Sequence, residues 1–88
     1  MSESEPFKIG LLGHGTVGAA FEELVGRRAD RIAEITGRRP EVVGVLTRSR
    51  GDIDEILAAS DLVVEVMGGV DPTRDYVLRA MAAGKHVV

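Results

Sequence analysis

Gly13-His14-Gly15-Thr16-Val17-Gly18 has the spacing G-x-G-x-x-G. That spacing carries chemistry when a strand precedes it and a helix follows. In that setting Gly13 permits a tight turn, Gly15 lets backbone approach a pyrophosphate, and Gly18 lets the helix pack closely on the strand. His14, Thr16 and Val17 complete the loop as candidate cofactor-binding residues. The helix start then offers free N–H groups and a partial positive charge to phosphate oxygens. Without a ligand, the same residues describe a glycine-rich strand-to-helix turn.

Two further segments bear on that chemistry. Thr47-Arg48-Ser49-Arg50 stands where a reader of an unphosphorylated ribose places an acid, and no carboxylate follows until Asp52. Two guanidinium groups and two hydroxyls suit a 2′-phosphate, so Arg48 and Arg50 point to NADP, with NAD as the alternative. The competing reading is a solvated charged loop. Val66-Met67-Gly68-Gly69 ends a third apolar run. Met67, Gly68 and Gly69 would let backbone approach the cofactor's ribose and nicotinamide, or would only connect two elements.

The remaining chemically able residues are few. Glu65 interrupts an apolar run, where a charge is costly unless paired. It would contact ligand or meet a Lys or Arg at the end of the sheet, and the structural role ranks first. His14 is expected at solvent or near the phosphates, His86 packed at the start of a strand, and Lys85 solvated. Neither histidine has a spaced partner for a metal site or a triad. The absence of cysteine removes a disulfide framework and a thiol nucleophile. No catalytic or metal-binding residue is therefore assigned.

These residues need elements to hold them. Phe7 to Leu12 reads as a buried strand closed by Gly13. From Thr16 the period becomes helical, with Val17, Phe21, Leu24, Val25, Ile32 and Ile35 as the apolar stripe. Gly26 is a candidate kink. Glu23–Arg27 and Glu34–Arg38 are i,i+4 pairs in the favourable order. Gly37 is placed to end the helix and Pro40 to block its continuation.

Val42 to Leu46 is a second strand. Asp52, with Glu55 three residues on, is an N-cap with a capping-box acid before Ile53, Ile56 and Leu57. Leu62 to Val66 is a third strand. Asp71-Pro72 opens a helix whose buried stripe is Val77, Ala80 and Met81, and Gly84 closes it. His86-Val87-Val88 begins a fourth strand. The alternation β-α-β-α-β-α-β predicts an α/β fold, a Rossmann-like parallel sheet in order 2-1-3-4 with helices on both faces. Residues 1–6 are expected to form a flexible tail, and residues 7–88 the N-terminal part of a dinucleotide-binding domain. A terminal strand two valines long is expected to mark truncation of a longer protein, because an unpaired apolar edge invites aggregation.

Composition sets the outer limits. Of 88 residues, 44% are apolar and 28% charged, which excludes a disordered or collagen-like chain. Eleven bases against fourteen acids leave a net charge of −3, which argues against nucleic acid as a partner. No apolar run is long enough to span a membrane, and the acidic start is unlike a signal peptide. The expected location is cytoplasmic.

The opening Gly10-Leu11-Leu12-Gly13-His14-Gly15-Thr16-Val17-Gly18 resembles that of homoserine dehydrogenases. Ile35-Thr36-Gly37-Arg38-Arg39, Asp61-Leu62-Val63-Val64-Glu65-Val66-Met67-Gly68-Gly69, Asp71-Pro72 and Ala83-Gly84-Lys85-His86-Val87-Val88 resemble the same family. The resemblance implies an oxidoreductase that interconverts L-homoserine and L-aspartate 4-semialdehyde with NAD(P), in the synthesis of threonine, methionine and isoleucine. It implies that Gly13 to Gly18 hold pyrophosphate, that Arg48 reads the ribose end and that Met67 to Gly69 line the cofactor. It implies a small-molecule substrate bound only by the full-length parent, a homo-oligomer. The family's Thr-Ala-Asn-Lys motif after the fourth strand, its substrate carboxylates and its catalytic lysine have no matching positions. Only Thr47 to Ser60 fill the gap before the third strand, shorter than is usual in the family, which bears on the adenine contacts. The alternatives are another dehydrogenase of this opening, such as a sugar oxidoreductase, a stand-alone dinucleotide-binding or redox-sensing module, and a non-binding remnant.

Overall fold

Leu11-Leu12, Val45-Leu46 and Val63-Val64 are adjacent apolar pairs. In a strand, neighbouring side chains point to opposite faces, so such pairs require cover on both. The computed structural model supplies it, and describes residues 5–67 and 73–88. In chain order the elements are β1 (Phe7–Leu12), α1 (Thr16–Thr36), β2 (Pro40–Leu46), α2 (Ile53–Ala59), β3 (Leu62–Glu65), α3 (Thr73–Ala82) and β4 (His86–Val87). The four strands are parallel and ordered β2-β1-β3-β4, as expected.

The connections dictate which helix lies where. From β1 the chain steps to β2 on one side, then returns across β1 to β3 and β4. Right-handed crossovers in opposite directions put helices on opposite faces. Accordingly Ile9, Leu11, Val45 and Val64 form one core with Phe21 of α1. Leu12, Leu46, Val63, Ile56, Leu57 and Ala80 form the other, beneath α2 and α3.

Two glycines within the strands decide how close α2 comes. Gly10 and Gly44 pair across β1 and β2, just after a register shift that leaves Val43 unpaired. A Cβ on Gly10 would stand 2.7 Å from Ile56 Cγ2, and one on Gly44 2.7 Å from Ile56 Cγ1. Ile56 thus sits in a slot that any other strand residue would fill.

Several local expectations hold. Gly37 ends α1 at φ 81°. Asp52 caps α2, accepting from the N–H groups of Asp54 at 2.9 Å and Glu55 at 3.2 Å. Arg27 and Glu23 pair at 3.5 Å. Asp71 and Pro72, expected to open the third helix, lie outside the described residues, and that helix closes before Gly84 at φ 78°.

Others are corrected. The helix α1 runs unbroken through Gly26. Val17, Leu24 and Ile35 are 65%, 47% and 70% exposed, so they stand outside the stripe that meets the sheet. That stripe runs through Gly18, Phe21, Val25, Ala29 and Ile32, with small Ala29 buried where a closer approach is needed. Arg38 does not pair with Glu34. The left-handed turn at Gly37 carries Arg38 off the helix to Asp61 at 3.6 Å, and Glu34 pairs with Arg31 instead. Met81 is 61% exposed because only Val77 and Ala80 of its stripe turn toward the sheet. His86 is exposed rather than packed, and Lys85 half-buried rather than solvated. The strand β2 starts at Pro40, a first-residue position that requires no ladder donor, and β3 stops at Glu65.

Candidate functional site

The chain leaves β1 toward one neighbour and comes back on the other side, so a crevice opens above the carboxyl end of β1. Such a switch point is where open α/β sheets bind ligands. Gly13 turns the chain there at φ 106°, a conformation that only glycine adopts readily. Its N–H donates to Leu46 O at 2.7 Å, while Val66 N–H donates to Leu12 O at 2.9 Å. The loop is therefore fastened between the ends of β2 and β3.

The three glycines divide the work. A Cβ on Gly18 would come within 2.4 Å of Gly13 O, so this glycine lets α1 dock against the loop. Gly13 itself faces Met67, whose backbone N would be 3.0 Å from an added Cβ. Gly15 has nothing within 4 Å and is exposed. It is also the N-cap of α1, yet no side chain caps this end and the first turn holds no acid. The helix thus presents backbone donors and its positive end to an open surface beside Gly15, with Thr16 and Val17 exposed in the first turn.

A cleft of about 390 Å³ lies over this end, within the size range of small-molecule sites. Gly13, His14 and Gly15 line it on one side, Thr47 and Arg48 on another, and Met67 on a third. Three segments far apart in sequence thereby meet at one place. Arg50 is not among them: it lines a separate hollow with Gly51, Asp52 and Glu55. The turn explains the difference, because Thr47 N–H donates to Arg50 O at 2.8 Å and folds the loop back before Arg50. Gly68 and Gly69 lie outside the described residues.

Glu65 takes a structural contact. Its Oε2 accepts the Met67 N–H at 2.5 Å, which fixes the residue that floors the cleft. His14 is half-buried, with Nε2 2.6 Å from Oε1 of Glu22 on the second turn of α1. Sequence reasoning did not single out Glu22, and an eight-residue separation falls outside the i,i+4 rule that would have found it.

A larger hollow of about 570 Å³ between α2 and α3 is a weaker candidate. Its Arg79 is held by Asp54 and Asp75, and its wall is largely alanine and leucine. Among the described residues, no three His, Asp or Glu side chains are grouped to hold a metal ion, and no helix is long and apolar enough to cross a membrane.

Fold and cleft together define a Rossmann-like α/β domain with an open cleft at its switch point. The family model described as homoserine dehydrogenase, NAD binding domain, matches residues 13–88, and the chain belongs to that family. The homoserine dehydrogenase of Methylobacillus glycogenes is 37% identical over 96% of this chain and 24% of its own length. Among solved structures, S. aureus homoserine dehydrogenase superposes with a TM-score of 0.87 at 29% identity, over 94% of this chain and 25% of that one. The enzyme from Thiobacillus denitrificans gives 0.86 at 31% identity, over 98% and 24%. The chain thus spans about a quarter of the length of the relatives it matches. The alignment with the M. glycogenes enzyme is 100 positions long but holds 96% of an 88-residue chain, so that relative has residues here that this chain lacks.

Proposed function

We propose that this chain is the cofactor-binding part of an enzyme that interconverts L-homoserine and L-aspartate 4-semialdehyde, and that it prefers NADP. One observation carries the site: the uncapped end of α1, the Arg48 loop and Met67 converge on one cleft at the switch point. When bound, the nicotinamide supplies a hydride acceptor or donor. In our reading the chain's own residues do the holding. Gly15 and the first-turn N–H groups of α1 take the pyrophosphate. Arg48 takes the 2′-phosphate, which it can grip bidentately, and Met67 lies against the nicotinamide side. Arg50, turned to another hollow, is dropped from that set. The substrate and any partner subunit would be engaged by parts of the enzyme outside this chain.

Binding to the purified chain, followed by amide chemical shifts, tests the reading. Gly15→Val would put a β-branched side chain where the phosphates approach. NADP binding should fall below detection while circular dichroism stays near that of the parent, since the position is open. Arg48→Ala should weaken NADP by about one to two decades, the loss of a charge-assisted contact of roughly 1.5–3 kcal/mol, and leave NAD nearly unchanged. Equal weakening of both cofactors would remove Arg48 as the reader and with it the NADP preference. Unchanged affinity in Gly15→Val would remove the phosphate-loop assignment. In this reading substrate is oriented by parts of the enzyme outside this chain, a contribution of roughly 7–11 kcal/mol to such reactions, so the chain by itself should show no homoserine-dependent NADP reduction.

A further inference from the structure

His14 occupies a position of the glycine loop that the phosphate-binding geometry leaves unconstrained. Its ring is nevertheless tethered, Nε2 to Glu22 Oε1 at 2.6 Å, and it lines the cleft beside Gly13 and Gly15. We propose that Glu22 is a positioning residue for dinucleotide binding: it fixes the His14 ring at the phosphate end of the cleft and makes binding there proton-coupled. The inference rests on the dinucleotide reading above and adds a charge mechanism to it.

The argument is one of charge next to the loop. With a neutral imidazole, the pair brings the carboxylate's single negative charge toward the place where a doubly charged pyrophosphate would lie. With a protonated imidazole, the pair is neutral overall and offers a donor to phosphate. Imidazole is the side chain whose ordinary titration falls between pH 5 and 8. Among the described residues, two further charged groups bear on this cleft, Arg48 in its lining and Glu65 bonded to Met67, which also lines it. Arg48 reaches the same cleft from the β2–α2 loop, and an arginine keeps its charge throughout that range. At the end of β3, Glu65 directs Oε2 to the Met67 N–H. The first turn of α1 contributes no acid. Protonation of the His14–Glu22 pair therefore makes the phosphate end of the cleft more positive by one unit charge, and dinucleotide binding takes up a proton.

The probe is NAD, because its pyrophosphate keeps its charge from pH 6 to 8 whereas a phosphate monoester titrates at about pH 6. Dissociation constants are read from amide shifts of the 88-residue chain at pH 6 and pH 8. The parent should bind NAD about three- to tenfold more weakly at pH 8, the effect of one unit charge across a solvent-exposed gap. In His14→Gln that difference should vanish. Glu22→Gln keeps the shape and removes the charge, so at pH 8 it should bind NAD more tightly than the parent, and it decides the matter should His14→Gln not fold. The same pH profile in the parent and His14→Gln, or a Glu22→Gln variant weakened by one factor at both pH values, would overturn the proton coupling and leave the dinucleotide site standing. Amides of residues 13–18 that fail to move with NAD at either pH would overturn both.

Discussion

At the amino ends of the strands, polar groups are spent on one another. Arg38 donates to the carbonyls of Glu5 at 3.2 Å and Pro6 at 3.1 Å, and its guanidinium lies 5.1 Å over the Phe7 ring. Asp61 takes the Lys8 N–H at 3.0 Å and returns its own N–H to Lys8 O at 2.7 Å. At the carboxyl ends the same sheet does the reverse. Gly15 caps α1 without a side chain, and the donors of its first turn face an open cleft. The contrast shows where stability and binding have been separated. An edge that closes on itself locks register, while an edge left open keeps its donors for water or for a ligand.

The sharpest way to break this comparison is inside the glycine loop, where both demands meet. Gly18 serves the fold and Gly15 the open surface. Gly18→Ala places a methyl within 2.4 Å of Gly13 O, a backbone atom with no rotamer to yield. Such overpacking should lower stability by about 1–3 kcal/mol, read as a shift in the urea midpoint. A variant as stable as the parent would mean that α1 can move off the loop, and that the loop is not rigid enough to be a preformed cradle.

A smaller effect is expected at the closed edge. Arg38→Ala removes the contact with Phe7 and two hydrogen bonds to carbonyls, worth about 1–2 kcal/mol together. The 3.6 Å pair with Asp61 is exposed and adds little. Thermal denaturation should register that loss, while NADP binding measured at saturating protein fold should be unchanged. A fall in affinity comparable to that of Arg48→Ala would mean that the two edges are coupled through β1.

The sequence makes much of this legible, for reasons that differ by residue. Gly13, Gly15, Gly37 and Asp52 act through backbone conformation and caps within a few residues, so their roles follow from local spacing. The strand order follows because right-handed crossovers leave few arrangements. The pairing of Arg38 is not legible because one left-handed residue, Gly37, redirects it from Glu34 to a partner distant in the chain. Val17, Leu24 and Ile35 read as inward-facing, because hydrophobicity does not tell which apolar arc of a long helix meets a narrow sheet. Ala29, buried at that contact, carries too little apolar surface to stand out. Arg48 and Met67 both follow strands, and both line the cleft at the switch point. Arg50 lines a different hollow because the chain turns between Thr47 and Arg50 through a backbone hydrogen bond, which no pattern of residue types marks.

The smallest effect should be a gain. Gly26 lies within α1, and an added Cβ there meets nothing within 4 Å. Glycine in a helix interior costs backbone entropy on folding, so Gly26→Ala should raise stability by about 0.5–1 kcal/mol. The position faces solvent and stands more than two turns beyond Gly18, so the change should reach neither the glycine loop nor the cleft. Paired with Gly18→Ala, it forms an internal control on one helix: the same methyl, opposite in sign, decided by what surrounds it. Equilibrium unfolding gives the sign, and an NADP titration of the same sample should match the parent. A destabilised Gly26→Ala would show that this stretch of α1 needs glycine for something other than helical propensity, and a change in NADP affinity would show that the open edge extends farther along the helix than its first turn.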